Sequence, residues 1–428
     1  MATDSATMRS SGGGIAIAGP VTVADLLPLL PPEAAETRWR SAGSPLITTM
    51  VHEYRRRGMV LTVFTNDEAL EEAAVPWVRW VGDGLTLYVT PRRAHAFRWR
   101  HGNPGRIVDF FALERAGLRA AMAHARPALV HAHWSYEYAW AAQQAGLTNL
   151  VTCHDSPTAI LRQMPDTYRI ARWCMARHVL RHADAVTVVS PYLAAELRGW
   201  LRVAPTVVPN PLPRDVCRVY GVPQAWRSAR KWPLVAPRVG MVLNGWGTLK
   251  NAQPGMVAMS RLRALVPQSQ LHLIGPGFGA GELAECWAAA RGIADDFCFH
   301  GRLSHKDTLE QIAAFDLLIH PALEESFGLS IAEAMALGVP VVAGRDSGAV
   351  PWVLGTDAGE LVDVRSTDQI LKAAQRLLGD AAAHQQASQA GRKRAAQHFS
   401  AKAVADSYLA LYEKLAPGAL HRNQDLLK

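Results

Sequence analysis

The chain has 428 residues, which is too long for one compact core and favours two domains. Hydrophobic residues make up 49% and charged residues 19%, which argues against wholesale disorder, and the net charge of +8 mildly favours anionic ligands or a membrane surface. The five cysteines are an odd number without a CxxC pair, which argues against a disulfide framework or a zinc knuckle.

The amino-terminal stretch carries one arginine followed by glycines, and Pro20 and Asp25 interrupt its apolar run. It is a poor signal peptide, and the chain has no run of about 18 apolar residues such as a membrane span needs. We therefore expect a cytoplasmic protein, with the inner face of a membrane as its alternative location.

Short apolar runs rich in β-branched residues alternate with longer helix-like stretches. The predicted strands are 59–65, 85–90, 128–133, 149–155, 185–190 and 205–210, and, after a proline-rich connector, 238–244, 270–275, 296–301, 316–321 and 339–344. Near-continuous apolar strands separated by helices indicate parallel sheets covered on both faces. Two such blocks predict an α/β protein with two Rossmann-like domains and a cleft between them.

In open parallel sheets the ligand site lies beyond the carboxyl ends of the strands. Polar or glycine residues follow nearly every predicted strand, namely His131, His133, His154, Asp155, Ser190, Asn210, Asn244, Gly245, 275–277, Gly301, Arg302, 321–329 and Gly344. This pattern favours an enzyme that holds a large polar ligand.

The stretch PALEESFGLSIAEAMALGVPVV (321–342) contains two glutamates, Glu325 and Glu333, beside segments predicted to be buried. Gly328 permits a ligand to approach the backbone, and the amides of 327–331 at a helix start favour an anion. Ser330 and Glu333 also fit a capping box, so a structural and a ligand-binding interpretation of Glu333 both stay open. Glu325 has no such structural explanation, which makes it the stronger candidate for ligand binding.

These motifs resemble the retaining, nucleotide-sugar-dependent glycosyltransferases of family 4, which have the two-domain GT-B fold. The resemblance rests on E-x7-E around Phe-Gly-Leu followed by EAMALGVPVV, and on LVHAHW, VTCHD, VVSPYLAAEL, VVPNPLP, LHLIGPG and FHGRLSHKD in the same order. It covers roughly residues 40–416 and includes the final helices, the last of which returns to the first domain in the family. The predicted domains are therefore 1–212 with a helix at about 402–428, a linker at 213–237, and a nucleotide-sugar domain at 238–401.

The resemblance implies a donor site in the second domain. Lys250 matches the family's diphosphate-binding lysine, Glu325 its sugar-binding glutamate and Glu333 its ribose-binding glutamate. Further predicted donor contacts are Asn244, Gly245, Arg302, Ser326, Phe327, Gly328 and Leu329. The sequence departs from the family at Gly245, where an arginine usually stands, and Arg302, Arg345 or glycine amides are the candidates to replace its charge.

The resemblance also implies that His154 contacts the sugar, so the predicted catalytic residues are His154, Lys250 and Glu325. Gly43, Ser44, His133 and Asp155 are predicted on the acceptor side, where the family's double glycine is reduced to Gly43-Ser44. His131 and His133, together with Asp155, also suggest a metal site. The two histidines lack a third strong ligand at a convincing spacing, which disfavours this interpretation. Because the chain has no D-x-D motif, we expect a metal-independent enzyme without a cofactor.

Residues 91–106 contain Arg92, Arg93, Arg98, Arg100 and Arg106 with interleaved Phe97 and Trp99. Such a segment favours contact with a phospholipid surface or a lipid-diphosphate acceptor, although a solvated basic loop is the alternative. Nucleic acid is not expected, because no recognisable binding module surrounds the segment.

The sequence therefore predicts a retaining hexosyltransferase that moves sugar from a UDP- or GDP-sugar to a glycan or a lipid-linked oligosaccharide. The expected products are glycans of the exopolysaccharide, capsule or O-antigen type. The alternatives are a noncatalytic partner subunit that binds nucleotide sugar, a nucleotide-sugar epimerase, a glycan phosphorylase and an NAD-dependent dehydrogenase. The dehydrogenase is disfavoured because Pro276 spoils the turn of GPGFGA, and the phosphorylase because no lysine lies in a cofactor-binding context.

Overall fold

The computed structural model describes residues 13–40, 43–73, 75–100, 102–214, 216 and 232–422. The chain divides into two compact units. The first unit holds residues up to 189, 194–208 and the chain from 404 onward, and the second holds 190–193 and 209–403. Most of the predicted linker, residue 215 and residues 217–231, lies outside the described residues, and the predicted domain boundaries stay a prediction.

The first unit is built on an eight-stranded sheet in the order β3-β4-β2-β1-β5-β6-β7-β8. Its strands are β1 (Ile15–Ala18), β2 (Leu61–Asp67), β3 (Val78–Gly82), β4 (Leu85–Pro91), β5 (Leu129–His133), β6 (Asn149–Cys153), β7 (Ala185–Val188) and β8 (Thr206–Val207). Neighbouring strands are parallel apart from β3, which pairs antiparallel with β4.

The helices of the chain's first half are α1 (Pro45–Arg56), α2 (Ala112–Ala125), α3 (Glu137–Gln144), α4 (Pro157–Gln163), α5 (Thr167–His182) and α6 (Pro191–Leu197). Short 3-10 turns lie at Val23–Leu29, Pro32–Glu36, Glu68–Leu70 and Arg198–Trp200. Three of these helices begin with side-chain caps, because Ser156 accepts from the Ala159 amide, Asp166 from the Arg169 amide and Ser190 from the Leu193 amide.

The second unit is built on a six-stranded parallel sheet in the order β11-β10-β9-β12-β13-β14. Its strands are β9 (Arg238–Val242), β10 (Gln270–Ile274), β11 (Phe297–Gly301), β12 (Leu317–His320), β13 (Val341–Gly344) and β14 (Gly359–Val362). The order runs outward from β9 in both directions, so the strand ends beside β9 lie at a topological switch point where α/β proteins bind ligands.

The later helices are α7 (Ala252–Leu265), α8 (Leu283–Ala289), α9 (His305–Ala313), α10 (Leu329–Ala336), α11 (Val350–Leu354), α12 (Thr367–Gly379), α13 (Ala381–Arg394), α14 (Ala401–Leu415) and α15 (Ala419–Arg422). A 3-10 turn lies at Ala294–Asp296 and a π-helical turn at Ala395–Phe399. No helix among the described residues is long and apolar enough to cross a membrane.

Helix α14 packs into the core of the first unit. Tyr408 and Tyr412 are buried with strands β1, β2 and β5 in one hydrophobic cluster. Tyr412 also shares hydrogen bonds of 2.6 Å with His131 Nδ1 and 3.2 Å with Tyr54 Oη. His131 lies inside this network with its other ring nitrogen 2.6 Å from Thr152 Oγ1. Burial lowers the pKa of His131 to about 3, so its ring is neutral at physiological pH.

Candidate functional site

Glu325 lies at the centre of a polar cluster beyond the carboxyl ends of β9 and β12. Lys250 Nζ donates to Glu325 Oε1 at 2.6 Å, and His320 Nε2 lies 3.3 Å from the same oxygen. The Glu325 and Lys250 side chains are 18% and 23% exposed, while His320 is 3% exposed. The two sequence-predicted residues Lys250 and Glu325 are therefore in direct contact, although 75 positions separate them in the chain.

The electrostatic balance around Glu325 strongly favours its ionised form. Burial by itself raises the pKa of the Glu325 carboxyl, but the contacts with His320 and Lys250 outweigh burial and hold the pKa at about 2. A carboxylate with such a pKa carries its charge at every physiological pH. It therefore acts as a hydrogen-bond acceptor, and it cannot serve as a general acid near neutral pH.

The backbone around Glu325 is fixed on both sides. Its carbonyl accepts from the Ala349 amide at 2.9 Å, and Ser190 Oγ donates to the Ser326 carbonyl at 2.6 Å. Tyr192 Oη donates to Glu324 Oε1 at 2.7 Å. Because loops are usually mobile, these bonds give the Glu325 loop a rigidity that a binding site needs.

Helix α10 begins at Leu329, two residues before the start that a Ser330 N-cap predicts. Gly328 is its N-cap with φ 90°, and the first helical bonds run to the Gly328 carbonyl. The capping-box interpretation is wrong, because Ser330 Oγ lies 3.4 Å from the Val242 carbonyl and from His320 Nδ1 instead of capping the Glu333 amide. The amides of Leu329 and Ser330 belong to the first turn, which has no intrahelical carbonyl for them.

Glu333 is a buried carboxylate with a specific partner. His305 Nε2 lies 2.6 Å from Glu333 Oε1, and the Glu333 side chain is only 4% exposed while the His305 ring is 33% exposed. His305 was not among the sequence-predicted site residues, although it stands in the family-like segment FHGRLSHKD. Its contact makes it part of the Glu333 environment, whose predicted ribose-binding role stays a prediction.

The remaining predicted donor residues have different surroundings. Asn244, Arg302 and Arg345 are exposed, and Arg345 donates to Gln369 Oε1 at 2.6 Å. Gly245 has φ 108° in the turn after β9. The Phe327 side chain is buried against Phe399 and Trp352, so the backbone of Phe327 is the part that remains for a ligand.

In the first unit, two sequence-predicted histidines form a pair at the carboxyl ends of β5 and β6. His133 Nδ1 and His154 Nε2 share a hydrogen bond of 3.0 Å, and their rings stack. Burial, together with His131 and His154, lowers the pKa of His133 well below its usual range. The Trp134 ring lies 4.3 Å from the His154 ring and limits the positions that His154 can adopt.

Asp155 follows His154 and is held by two aromatic donors. Trp134 Nε1 donates to Asp155 Oδ2 and Tyr136 Oη to Asp155 Oδ1, both at 3.2 Å. Burial raises the pKa of Asp155, although Arg172 and these hydrogen bonds act against that shift. Among the described residues, no group of three histidine, cysteine or acidic side chains is placed to hold a metal ion.

Gly43 and Ser44 lie immediately before α1. The Gly43 amide donates to Thr22 Oγ1 at 2.9 Å, and the Ser44 amide donates to the Pro20 carbonyl at 2.8 Å. Ser44 is the N-cap residue of α1, but its side chain makes no capping hydrogen bond. Both residues are thus attached to the segment that follows β1, and their predicted acceptor-side role stays a prediction.

Two family models match the chain. The model described as Glycosyltransferase Family 4 matches residues 45–216, and the one described as Glycosyl transferases group 1 matches residues 248–394. The first match contains the His133–His154 pair, and the second contains Lys250, Glu325 and Glu333. The family recognised from the sequence motifs is therefore confirmed.

Individual proteins agree with these models. The 2-deoxystreptamine glucosyltransferase of Streptomyces kanamyceticus is 27% identical over 365 residues, covering 80% of this chain and 92% of that protein. The sucrose-phosphate synthase of Thermosynechococcus elongatus superposes with a TM-score of 0.70 at 19% identity, over 94% of this chain and 99% of that one. Anabaena Alr3699/HepE in complex with UDP-glucose gives a TM-score of 0.62 at 17% identity, over 94% and 99% of the two chains. These structural neighbours confirm the predicted GT-B class with its two α/β units.

Proposed function

Because this chain belongs to glycosyltransferase family 4 and is a GT-B glycosyltransferase, we propose that it transfers a hexose from a UDP- or GDP-sugar with retention of anomeric configuration. The proposed acceptor is a glycan or a lipid-linked oligosaccharide, and the proposed product is a polysaccharide of the exopolysaccharide, capsule or O-antigen type. The reaction is proposed to take place in the cytoplasm, at the inner face of the membrane.

The observation that carries this proposal is the contact between Lys250 and Glu325 beside the first turn of α10. Lys250 brings a positive charge, and α10 brings first-turn amides that have no intrahelical acceptor, which together suit a diphosphate. In the described part of the chain Oε2 of Glu325 makes no hydrogen bond, so it is available to a sugar hydroxyl. Lys250 and the α10 amides thus match the diphosphate of a nucleotide-sugar donor, and the Glu325 carboxylate matches a hydroxyl of its sugar.

In the proposed reaction the bond between the anomeric carbon and the diphosphate oxygen breaks, and the acceptor oxygen bonds to that carbon on the same face. The proton of the acceptor hydroxyl passes to the departing phosphate oxygen, so atoms and charge balance without a protein base. Lys250 stabilises the negative charge that develops on the diphosphate, and Glu325 orients the sugar. His154 and the neutral His133 are proposed to contact the sugar and the acceptor, with Asp155, Gly43 and Ser44.

The proposed enzyme uses no metal ion and no cofactor. In this proposal Lys250 supplies the positive charge that a metal ion would bring to the diphosphate. Arg302, which is proposed to lie near the nucleotide base, adds a second positive charge. Ser326, Phe327 and Gly328 contribute backbone groups, Glu333 the ribose contact, and Asn244 with Gly245 the turn beside the phosphates.

The decisive experiment measures release of nucleoside diphosphate from a panel of UDP-, GDP- and ADP-sugars, with and without a lipid-extract acceptor and with and without EDTA. We expect release from one UDP- or GDP-sugar, acceptor stimulation, and the same rate in EDTA. No binding of any nucleotide would sink the transferase proposal. Binding without release would favour the noncatalytic partner subunit, and interconversion of the free nucleotide sugars would favour the epimerase.

The segment 91–106 supports the membrane part of the proposal. Phe97 and Trp99 are 54% and 71% exposed and flank the exposed Arg98. Two of the five arginines are engaged within the protein: Arg93 is 6% exposed and bonded to Asp109 and Glu114, and Arg106 Nη1 donates to the carbonyls of Arg93 and Ala94. Arg98 and Arg100 are the exposed arginines of this segment, and neither forms an ion pair with the described residues, so their positive charge suits anionic lipid.

Vesicle sedimentation tests this contact with phosphatidylglycerol and phosphatidylcholine vesicles. We expect binding to the anionic vesicles only, and about tenfold weaker partitioning for Trp99→Ser because one aromatic side chain leaves the interface. Leu265→Ser is the matched control, since Leu265 is 58% exposed but lies in the second unit. Equal partitioning of Trp99→Ser and the wild-type protein would contradict the proposed contact.

A further inference from the structure

The first unit contains a cavity of about 270 Å³ beside the predicted acceptor residues. It lies between α4 and α5 and is lined by Tyr136, Asp155, Met164, Tyr168, Arg172 and Trp173, among others. Asp155 directly follows the sugar-contacting candidate His154. The cavity therefore begins at the predicted acceptor residues and continues between two helices.

The floor of the cavity combines a hydrogen-bond acceptor with a donor. The Asp155 carboxylate accepts from Trp134 and Tyr136, which uses about half of the four bonds that a carboxylate can accept. The Arg172 guanidinium lies 3.5 Å above the Tyr136 ring and 3.5 Å from Glu137 Oε2, which leaves several of its five N–H groups for a ligand. The Asp155 carboxylate can accept a hydrogen bond from one hydroxyl group of a ligand, and the Arg172 guanidinium can donate one to a neighbouring hydroxyl group.

The walls of the cavity are mainly apolar. Tyr168, Trp173 and Met164 present aromatic and thioether surfaces, and Trp173 Nε1 is engaged by Thr158 Oγ1 at 3.3 Å. Flat apolar surfaces around a few polar groups are typical of small-molecule sites and suit the C–H faces of a saturated ring.

Charge selects between ligand classes. Arg169 also lines the cavity, but its guanidinium is paired with Asp166, which leaves the Asp155 carboxylate and the Arg172 guanidinium, of opposite sign, to face a ligand. An anion such as phosphate would meet the Asp155 carboxylate, and a cation would meet the Arg172 guanidinium. A neutral ligand avoids both costs.

We propose that this cavity binds a neutral, polyhydroxylated six-membered ring of the acceptor, either a sugar or a cyclitol. Neighbouring hydroxyls of the ring would bond to Asp155 and Arg172, and one face would pack on Tyr168 and Trp173. The proposal rests on the proposed function, because it names the chemical class of the acceptor for that same reaction.

Ligand-observed NMR titrations test the proposal with methyl α-D-glucopyranoside and myo-inositol as separate probes, recorded with the donor site saturated by UDP or GDP. We expect at least one ring to bind, and we expect Kd to weaken at least about tenfold in Tyr168→Ala and in Asp155→Asn, which keeps the side-chain shape. Ile170→Ala, on the same helix but outside the cavity lining and 50% exposed, should bind like the wild-type protein. The probe that binds distinguishes a sugar from a cyclitol.

Three results would overturn the inference: neither ring binds the wild-type protein, both cavity variants bind as the wild-type protein does, or inorganic phosphate displaces the ring. Melting curves of each variant show whether it is folded. The titration with UDP or GDP that saturates the donor site is itself a test of the proposed function. If the protein binds the nucleotide but neither ring, the inference about the cavity is contradicted and the proposed function is not.

Discussion

Glu325, Lys250 and His320 form the polar cluster on which the proposed donor site rests. One carboxylate oxygen contacts a lysine from the loop after β9 and a histidine from the end of β12. Because these side chains are mostly buried, their attraction is weakly screened by solvent. The carboxylate is therefore fixed in position and charge before it contacts a substrate, which is what electrostatic preorganisation requires.

Glu325→Gln keeps the shape of the side chain but removes its charge. We expect kcat for nucleotide release to fall about 100-fold, as when one preorganised polar contact of a reacting group is lost. Steady-state kinetics measure this value, and Glu324→Gln is the control because Glu324 precedes Glu325 in the loop but contacts Tyr192. Unchanged kcat in Glu325→Gln would make this carboxylate purely structural.

The low pKa of Glu325 also predicts a pH dependence of stability. A carboxyl whose pKa is about 2 when folded and about 4.3 when unfolded stabilises the fold above pH 4.3, and this contribution is lost as the pH falls toward 2. Wild-type protein should exceed Glu325→Gln in stability by up to about 3 kcal/mol at pH 7. Melting temperatures measured from pH 7 to 2.5 should show the difference between the wild-type protein and Glu325→Gln narrowing below pH 4.3. A difference that does not change with pH would contradict the low pKa of Glu325.

At the scale of elements, the site depends on close contact between the loops that follow β9 and β10. Gly275 ends β10 with φ 133°, and a Cβ there would lie 1.8 Å from the Leu243 carbonyl oxygen. The adjacent Phe278 ring packs edge-on against Trp246 in the loop after β9. The two loops therefore form one layer that carries Lys250.

Gly275→Ala should separate these loops. We expect a loss of about 3 kcal/mol or more, from backbone strain and steric overlap together, and weaker nucleotide binding. Calorimetric unfolding and nucleotide titration measure the two effects. Gly379→Ala is the control, because a Cβ at that helix end meets no atom within 4 Å. Equal stability of the two variants would contradict the proposed contact.

Most elements could be predicted from the sequence because buried parallel strands are continuous apolar runs. The strands that were missed are exceptions to that pattern: β1 is four small or aliphatic residues after glycines, β3 alternates in burial, and β14 begins with glycine and glutamate. The role of His305 could not be predicted, since it meets Glu333 through tertiary packing across 28 positions. His320 stands five residues before Glu325, but its contact depends on the path of the loop between them, which the sequence does not specify. Lys250 and Glu325 could be selected as candidates because family motifs mark both, and the structure places them in contact, while their donor-binding role stays a prediction.

At the scale of the whole molecule, the last long helix completes the core of the first unit. Tyr412 Oη contacts both His131 Nδ1 and Tyr54 Oη, so its hydroxyl connects α14 to β5 and α1. The His131 ring, which the sequence raised as a metal ligand, is engaged on both nitrogens by this network. A residue near the end of the chain therefore stabilises the sheet that carries His133 and His154.

Tyr412→Phe removes this hydroxyl and leaves buried partners unsatisfied. We expect a loss of about 1–3 kcal/mol in unfolding free energy, measured by chemical denaturation of the intact protein. Tyr88→Phe is the matched control, because Tyr88 is also buried in the first unit but its hydroxyl has no hydrogen-bond partner in the part of the chain that the structure describes. A loss as large in Tyr88→Phe would show that the network contributes nothing specific.

Lys250 and the α10 amides are proposed to bind the diphosphate of a nucleotide-sugar donor. Isothermal titration of UDP, UMP, GDP and GMP into wild-type protein, Lys250→Ala and the solvated-lysine control Lys306→Ala tests this proposal most directly. We predict that one diphosphate binds the wild-type and Lys306→Ala proteins at least about tenfold more tightly than its monophosphate, and that Lys250→Ala abolishes this preference. A diphosphate preference that survives in Lys250→Ala, or no nucleotide binding at all, would contradict the account.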